Sequence, residues 1–130
     1  MSGNLVHSFK VLTTLTAYRV VAAVSGTANT VQYPEATTKL PIGITINDVK
    51  DINQGIPVQM DGIAKLYFND SCTSGQLVAF NTSGQGIPYT VATTYTALTL
   101  LTGVIGILLD DTVQATGTIA NVSIQPQLIR

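Results

Sequence analysis

Ile42-Gly43-Ile44-Thr45-Ile46-Asn47-Asp48 and Ile105-Gly106-Ile107-Leu108-Leu109-Asp110-Asp111 are the two stretches that decide the fold. Each is a short apolar run with a glycine inside it, closed by an acidic turn. Each leads through a polar stretch and a second glycine, Gly55 or Gly117, into a further run: Ile56-Pro57-Val58-Gln59 after the first, Thr118 to Ser123 after the second. The runs are too short for helices, and the final ones alternate apolar with polar as half-buried strands do. A strand–loop–strand unit of this kind has one apolar face that it cannot cover alone. Two such units must therefore pack on each other.

The pattern extends outward from these stretches. Tyr18 to Val24 reads as a strand, and Leu77 to Phe80 repeats its Val20 to Ala23 part. Ser25 to Asn29 and Asn81 to Gly86 are the matching turns. Thr30 to Tyr33, closed by Pro34, and Ile87 to Val91, interrupted by Pro88, are short strands. Gly43 inside its strand signals a bulge or a close backbone approach. Pro57 points to an edge strand or a strand start. Asp61-Gly62 is a tight-turn signal between Ile56–Met60 and Ile63–Phe68. No segment carries an apolar stripe at helical spacing. The expected fold is all-β, a β-sandwich or β-tulip/small barrel with internal pseudo-duplication and an extended N-terminal arm. The arm is residues 1–16, followed by a single β domain over 17–130 with half-repeats of about 17–68 and 75–125.

Composition narrows the function. Of the 130 residues, 45% are apolar, ample for a core, and only 10% are charged, against roughly 25% in ordinary soluble domains. Such a surface repels neighbouring copies weakly and suits a protein packed against partners. The net charge is −1, and the basic residues are scattered, so a nucleic-acid partner is not expected. The most apolar window, Leu98 to Leu109, is far shorter than the ~20 residues of a membrane helix, and no membrane partner is expected. The N-terminus has no export signal, so synthesis in a host cytoplasm is expected.

The chemistry-bearing residues are few. His7 is the only histidine and lies in the expected arm, where a packing or hydrogen-bonding contact suits it better than general-base work. Asp48 with Asp51 and Asp110 with Asp111 could hold a cation, but turn chemistry explains them better. Gly84-Gln85-Gly86 lacks the lysine and helix of a phosphate loop and reads as a hairpin turn. Cys72, the lone cysteine, reads as an inert thiol in a turn. The expectation is of no enzyme, no catalytic residue, no cofactor and no metal.

The run Val20-Val21-Ala22-Ala23, then Pro41-Ile42-Gly43-Ile44 before an acidic loop, then Gly55-Ile56-Pro57-Val58 and Asp61-Gly62, resembles the small decoration (cement) proteins of tailed-phage capsids. The match covers Tyr18 to about Leu66 best. The resemblance implies a virion protein on the capsid surface, a homotrimer whose partner is the major capsid protein. It would stabilise an icosahedral head by bridging neighbouring subunits. Capsid contact is expected from Ser2, Asn4, Val6, His7, Phe9 and Lys10 of the arm, and trimer contact from Leu98, Leu100, Leu101, Tyr89 and Tyr95. The Thr-rich stretch Val91 to Thr102 is insertion-like beside compact members of that family. The alternatives are a phage tail-tube or fibre-associated β-sandwich protein, and a carbohydrate-binding module. The last would need an aromatic platform that the eight spread aromatics do not suggest.

Overall fold

The structure is a computed structural model that describes residues 6–34, 41–89, 104–111, 113 and 116–124. Among these residues it is all-β, with ten strands and no helix. The strands are β1 (Val6–Val11), β2 (Val20–Ala23), β3 (Thr30–Gln32), β4 (Pro41–Thr45) and β5 (Ile56–Gln59), then β6 (Gly62–Phe68), β7 (Leu77–Phe80), β8 (Gly86–Pro88), β9 (Val104–Leu108) and β10 (Thr118–Ile124). They close into two five-stranded barrels of one topology: β1-β3-β2-β4-β5 and, in the same sense, β6-β8-β7-β9-β10. Of the expected alternatives, the small barrel is the one realised.

The repeat holds residue by residue. The bridge Leu15–Val49 in barrel one is answered by Cys72–Val113 in barrel two. Val21 faces Gly43 as Val78 faces Gly106, and the register slips just after each pair. A Cβ on Gly43 would strike the carbonyl of Gln59, and one on Gly106 that of Ser123. Both glycines therefore mark the close backbone approach the sequence signalled. The second glycines do not correspond. Val58 answers Val122, since each faces the matching end residue of the neighbouring strand, Thr45 or Leu108. On that register Gly55 answers Ile119, so Gly117 lies two residues away.

Three further expectations change. Val6–Val11 is not a free arm: it pairs antiparallel with β5 and parallel with β3, closing barrel one. The half-repeats therefore run from β1 and from β6, and Gly62–Phe68 belongs to the second half. The Asp61-Gly62 turn is present, with Gly62 at φ +80°, but it joins the two barrels instead of closing a hairpin. The buried Gln59 amide holds this junction, donating to the carbonyls of Asp61 (2.9 Å) and Ile63 (2.8 Å). Lastly, of the two readings of Pro57, the edge strand fails and the strand start holds, since Pro57 is the second residue of β5. Pro57 is tolerated because β4 has ended where its missing N–H would point, and its carbonyl accepts from Ile46 at 3.2 Å.

Each barrel has its own core, Val11, Val21, Val31, Ile56 and Val58 in the first and Leu66, Phe68, Val78, Phe80, Ile105 and Leu108 in the second. Two barrel-one side chains, Val20 and Ile44, leave their own barrel and complete the core of the second. The barrels are thereby fastened end to end by apolar burial, the strongest general stabilising term. Fifteen residues separate β8 from β9 where eight separate β3 from β4. That surplus falls where the insertion-like stretch Val91 to Thr102 lies, which is outside the described residues.

Candidate interaction surface

The segment Thr16–Arg19 bridges the barrels. Tyr18 sits at φ +63°, a left-handed conformation that costs a non-glycine residue roughly 1 kcal/mol. Its counterpart is Gly75, at φ +83°, where no such cost arises. The surroundings over-determine the Tyr18 backbone. Its N–H donates to the Thr45 carbonyl (2.8 Å), and the Arg19 N–H donates to Thr45 Oγ1 (3.0 Å). The same hydroxyl donates to the Thr16 carbonyl (2.8 Å), and the Ala17 N–H donates to Asp48 Oδ1 (2.7 Å).

So held, the segment reaches barrel two. The Tyr18 carbonyl accepts from the Tyr67 N–H at 2.9 Å, and the Gly84 carbonyl accepts from the Val20 N–H at 2.7 Å. The Arg19 guanidinium lies 4.0 Å from the centre of the Tyr67 ring, a cation–π contact worth about 0.5–1 kcal/mol at an exposed site. Gly84 is required here, because a Cβ would meet the Val20 backbone.

Beside Tyr18 lies an open cleft of about 330 Å³ lined by Ile44, Ile46, Gln59, Ile63, Lys65 and Asn121, among others. Around it the outer face of β6 and β10 carries the exposed Ile63 and Ile119. The register sets Tyr67 against Ile119 and Lys65 against Asn121. Asp110 closes one side, accepting from the Asn121 backbone N–H (2.8 Å) and side-chain amide (3.1 Å). The acidic residues thus act as loop ties: Asp48 on Ala17, Asp51 on Asn53 (2.9 Å), and Asp110 on Asn121. Among the described residues no group of three His, Cys, Asp or Glu side chains could hold a metal. The surface offers apolar contact, one guanidinium stacked on an aromatic ring, and one ammonium.

Ser2 and Asn4 lie outside the described residues, as do Tyr95, Leu98, Leu100 and Leu101. Val6 and Lys10 point outward from β1 and are exposed. His7 and Phe9 share the other face and pack edge-on, 4.8 Å apart at 67°. The structure therefore splits the four described contact residues, Val6, His7, Phe9 and Lys10, between two faces of one strand. Tyr89 follows β8, half-buried, with its N–H on the Leu77 carbonyl (3.0 Å). Cys72 is 2% exposed, and burial, then the Asp70 carboxylate, push its thiol above the ordinary range. Sequence reasoning missed Tyr18, Arg19, Tyr67 and Lys65. The one available signal was Gly75, whose counterpart in the first half is a tyrosine.

No family model matches the chain, and no curated protein does. Among solved structures, the chain is similar to the N base of the head fibre protein gp8.5 of bacteriophage phi29. The TM-score is 0.69, with 15% identity over 95% of this chain and 96% of that one. At that identity the likeness establishes a shared fold spanning both chains.

Proposed function

We propose that this chain is a non-enzymatic structural protein of a phage virion. It binds the outside of an icosahedral head and steadies it by bridging neighbouring capsid subunits as a homotrimer. The observation that carries the reading is the end-to-end likeness to a head fibre base, which takes in both barrels and not one module. The composition agrees: a surface this poor in charge suits permanent contact. Multivalent bridging lets weak contacts add, because each later contact forms at high effective concentration.

The outward face of β1, Val6 and Lys10, is the proposed capsid contact. Removing residues 2–10 would delete a barrel strand, so point changes are the proper test. Val6→Glu should leave the circular dichroism spectrum unchanged and cut co-sedimentation with empty heads at least tenfold. Undiminished binding would place the contact elsewhere, and no binding by the unsubstituted protein would sink the head reading. A second reading, the foot of a fibre, draws on the neighbour being a fibre base. Electron microscopy of labelled particles separates the two by whether density lies flat on the head or projects from it.

A further inference from the structure

The two barrels are matched in sequence register but not in burial. Leu66, Ile105 and Ile124, at the end of barrel two that meets barrel one, are all buried, the first two completely. Val20 and Ile44 of barrel one join them in one cluster. The counterparts of those three in barrel one are Phe9, Ile42 and Met60, and all are only partly buried. His7, the counterpart of the buried Ala64, is exposed. Barrel one therefore has a matching apolar end with nothing seated on it among the described residues, although its Lys10 N–H, the counterpart of the Tyr67 N–H that takes the Tyr18 carbonyl, already donates to Asn29 (2.8 Å).

The opposite end of the molecule shows the complementary deficit. Val20 and Ile44 insert from barrel one and are 0% and 1% exposed. Their counterparts, Leu77 and Ile107, pair with each other in the same way but are left half-buried. One end has an inserting pair without a receiver, and the other a receiver without an inserting pair. A contact of this head-to-tail kind repeats from molecule to molecule, closing into a ring when its rotation allows.

We propose that copies of this chain associate head to tail, the Leu77–Ile107 end of one seated on the Phe9–Ile42–Met60 end of the next. This extends the internal barrel–barrel contact between molecules. It names the surface for the self-association in the proposed function and rests on that part of it, while head binding is tested separately. The intermolecular contact is not an identical copy. Asn29 stands where Gly84 stands: the Val24 N–H meets the carbonyl of the next residue, Thr30, as the Asn81 N–H meets that of Gln85, and both carry a positive φ, +55° and +75°. Gly84 admits the Val20 backbone because it has no Cβ. Asn29 has a Cβ, and its carbonyl already accepts from the Lys10 N–H (2.8 Å), so the second contact is the weaker of the two.

Single-cysteine variants test the direction of assembly. His7→Cys and Ile107→Cys, mixed in equal amounts and oxidised, should give disulfide-linked dimers several-fold above either variant alone. Lys10→Cys with Gln76→Cys, the counterparts of the Tyr67–Arg19 contact, repeats the test at positions outside the two apolar cores. The native Cys72 is buried and stays silent. Light scattering should show Ile107→Asp shifting the protein to monomer, and Asn29→Gly should lower the concentration for half-assembly about tenfold. The proposal is overturned if neither mixture exceeds its separate variants, or if the solution mass ignores both substitutions. Either outcome leaves the sedimentation with heads to be judged on its own.

Discussion

Barrel two is the better-built half. Its β6 and β10 pair over seven residues, Gly62 to Phe68 with Ile124 to Thr118, whereas β1 and β5 pair over four. Its core is completed by side chains on loan from barrel one, which gets none in return. One topology thus supports two degrees of stability, and the difference comes from what is seated on each open end. Barrel two depends on barrel one for Val20 and Ile44, whereas the core of barrel one takes no side chain from barrel two.

The largest test of that asymmetry uses the matched glycines. Gly106→Ala and Gly43→Ala each force a Cβ onto a neighbouring carbonyl, at a cost of about 3 kcal/mol for overpacking that must move backbone. Denaturant titration followed by hydrogen exchange should show Gly43→Ala, next to Ile44, loosening both barrels and Gly106→Ala chiefly the second. Equal loosening by the two would end the claim of one-way dependence. A smaller contrast sets Leu66→Ala against Phe9→Ala. Leu66 is fully buried, and its loss should cost about 3 kcal/mol of unfolding free energy. Phe9 is partly exposed, and its loss should cost roughly half as much despite the larger side chain. The smallest effect concerns the left-handed pair. Gly75→Ala has open space around it, so only the positive φ acts, and a loss of about 1 kcal/mol is expected in the same titration.

Much of this was legible in the sequence. The bulge-and-glycine signature at Gly43 and Gly106, the strand Thr118–Ile124, and the recurrence of Val20–Ala23 at Leu77–Phe80 all follow from local pattern. Pairing was less legible. Asp61-Gly62 is chemically a hairpin turn, and only the tertiary fold decides that its flanking strands close different barrels. Val6–Val11 looked like an arm because its exposed residues blur the alternation, yet its backbone is needed to close barrel one. The bridging site escaped because its key feature is a backbone conformation of Tyr18, which no residue type announces. Gly117 misled by composition: it resembles Gly55 in context but not in register.

Closure of both barrels removes a hazard that so weakly charged a chain would otherwise carry. Exposed strand edges invite pairing between molecules, and many β proteins deter it with lysines and inward-pointing charges. Here β1 and β6, through parallel pairing with β3 and β8, leave neither sheet with a free margin. Topology does the work that charge does elsewhere. The seam is also thin, two residue pairs in the first barrel, as many as join β2 to β3 or β4 to β5, and one in the second, the fewest there. Resistance to fibrous aggregation therefore rests on a very short stretch of backbone. Heating that parts this seam before the cores melt would expose the edge while the rest of the chain is still folded.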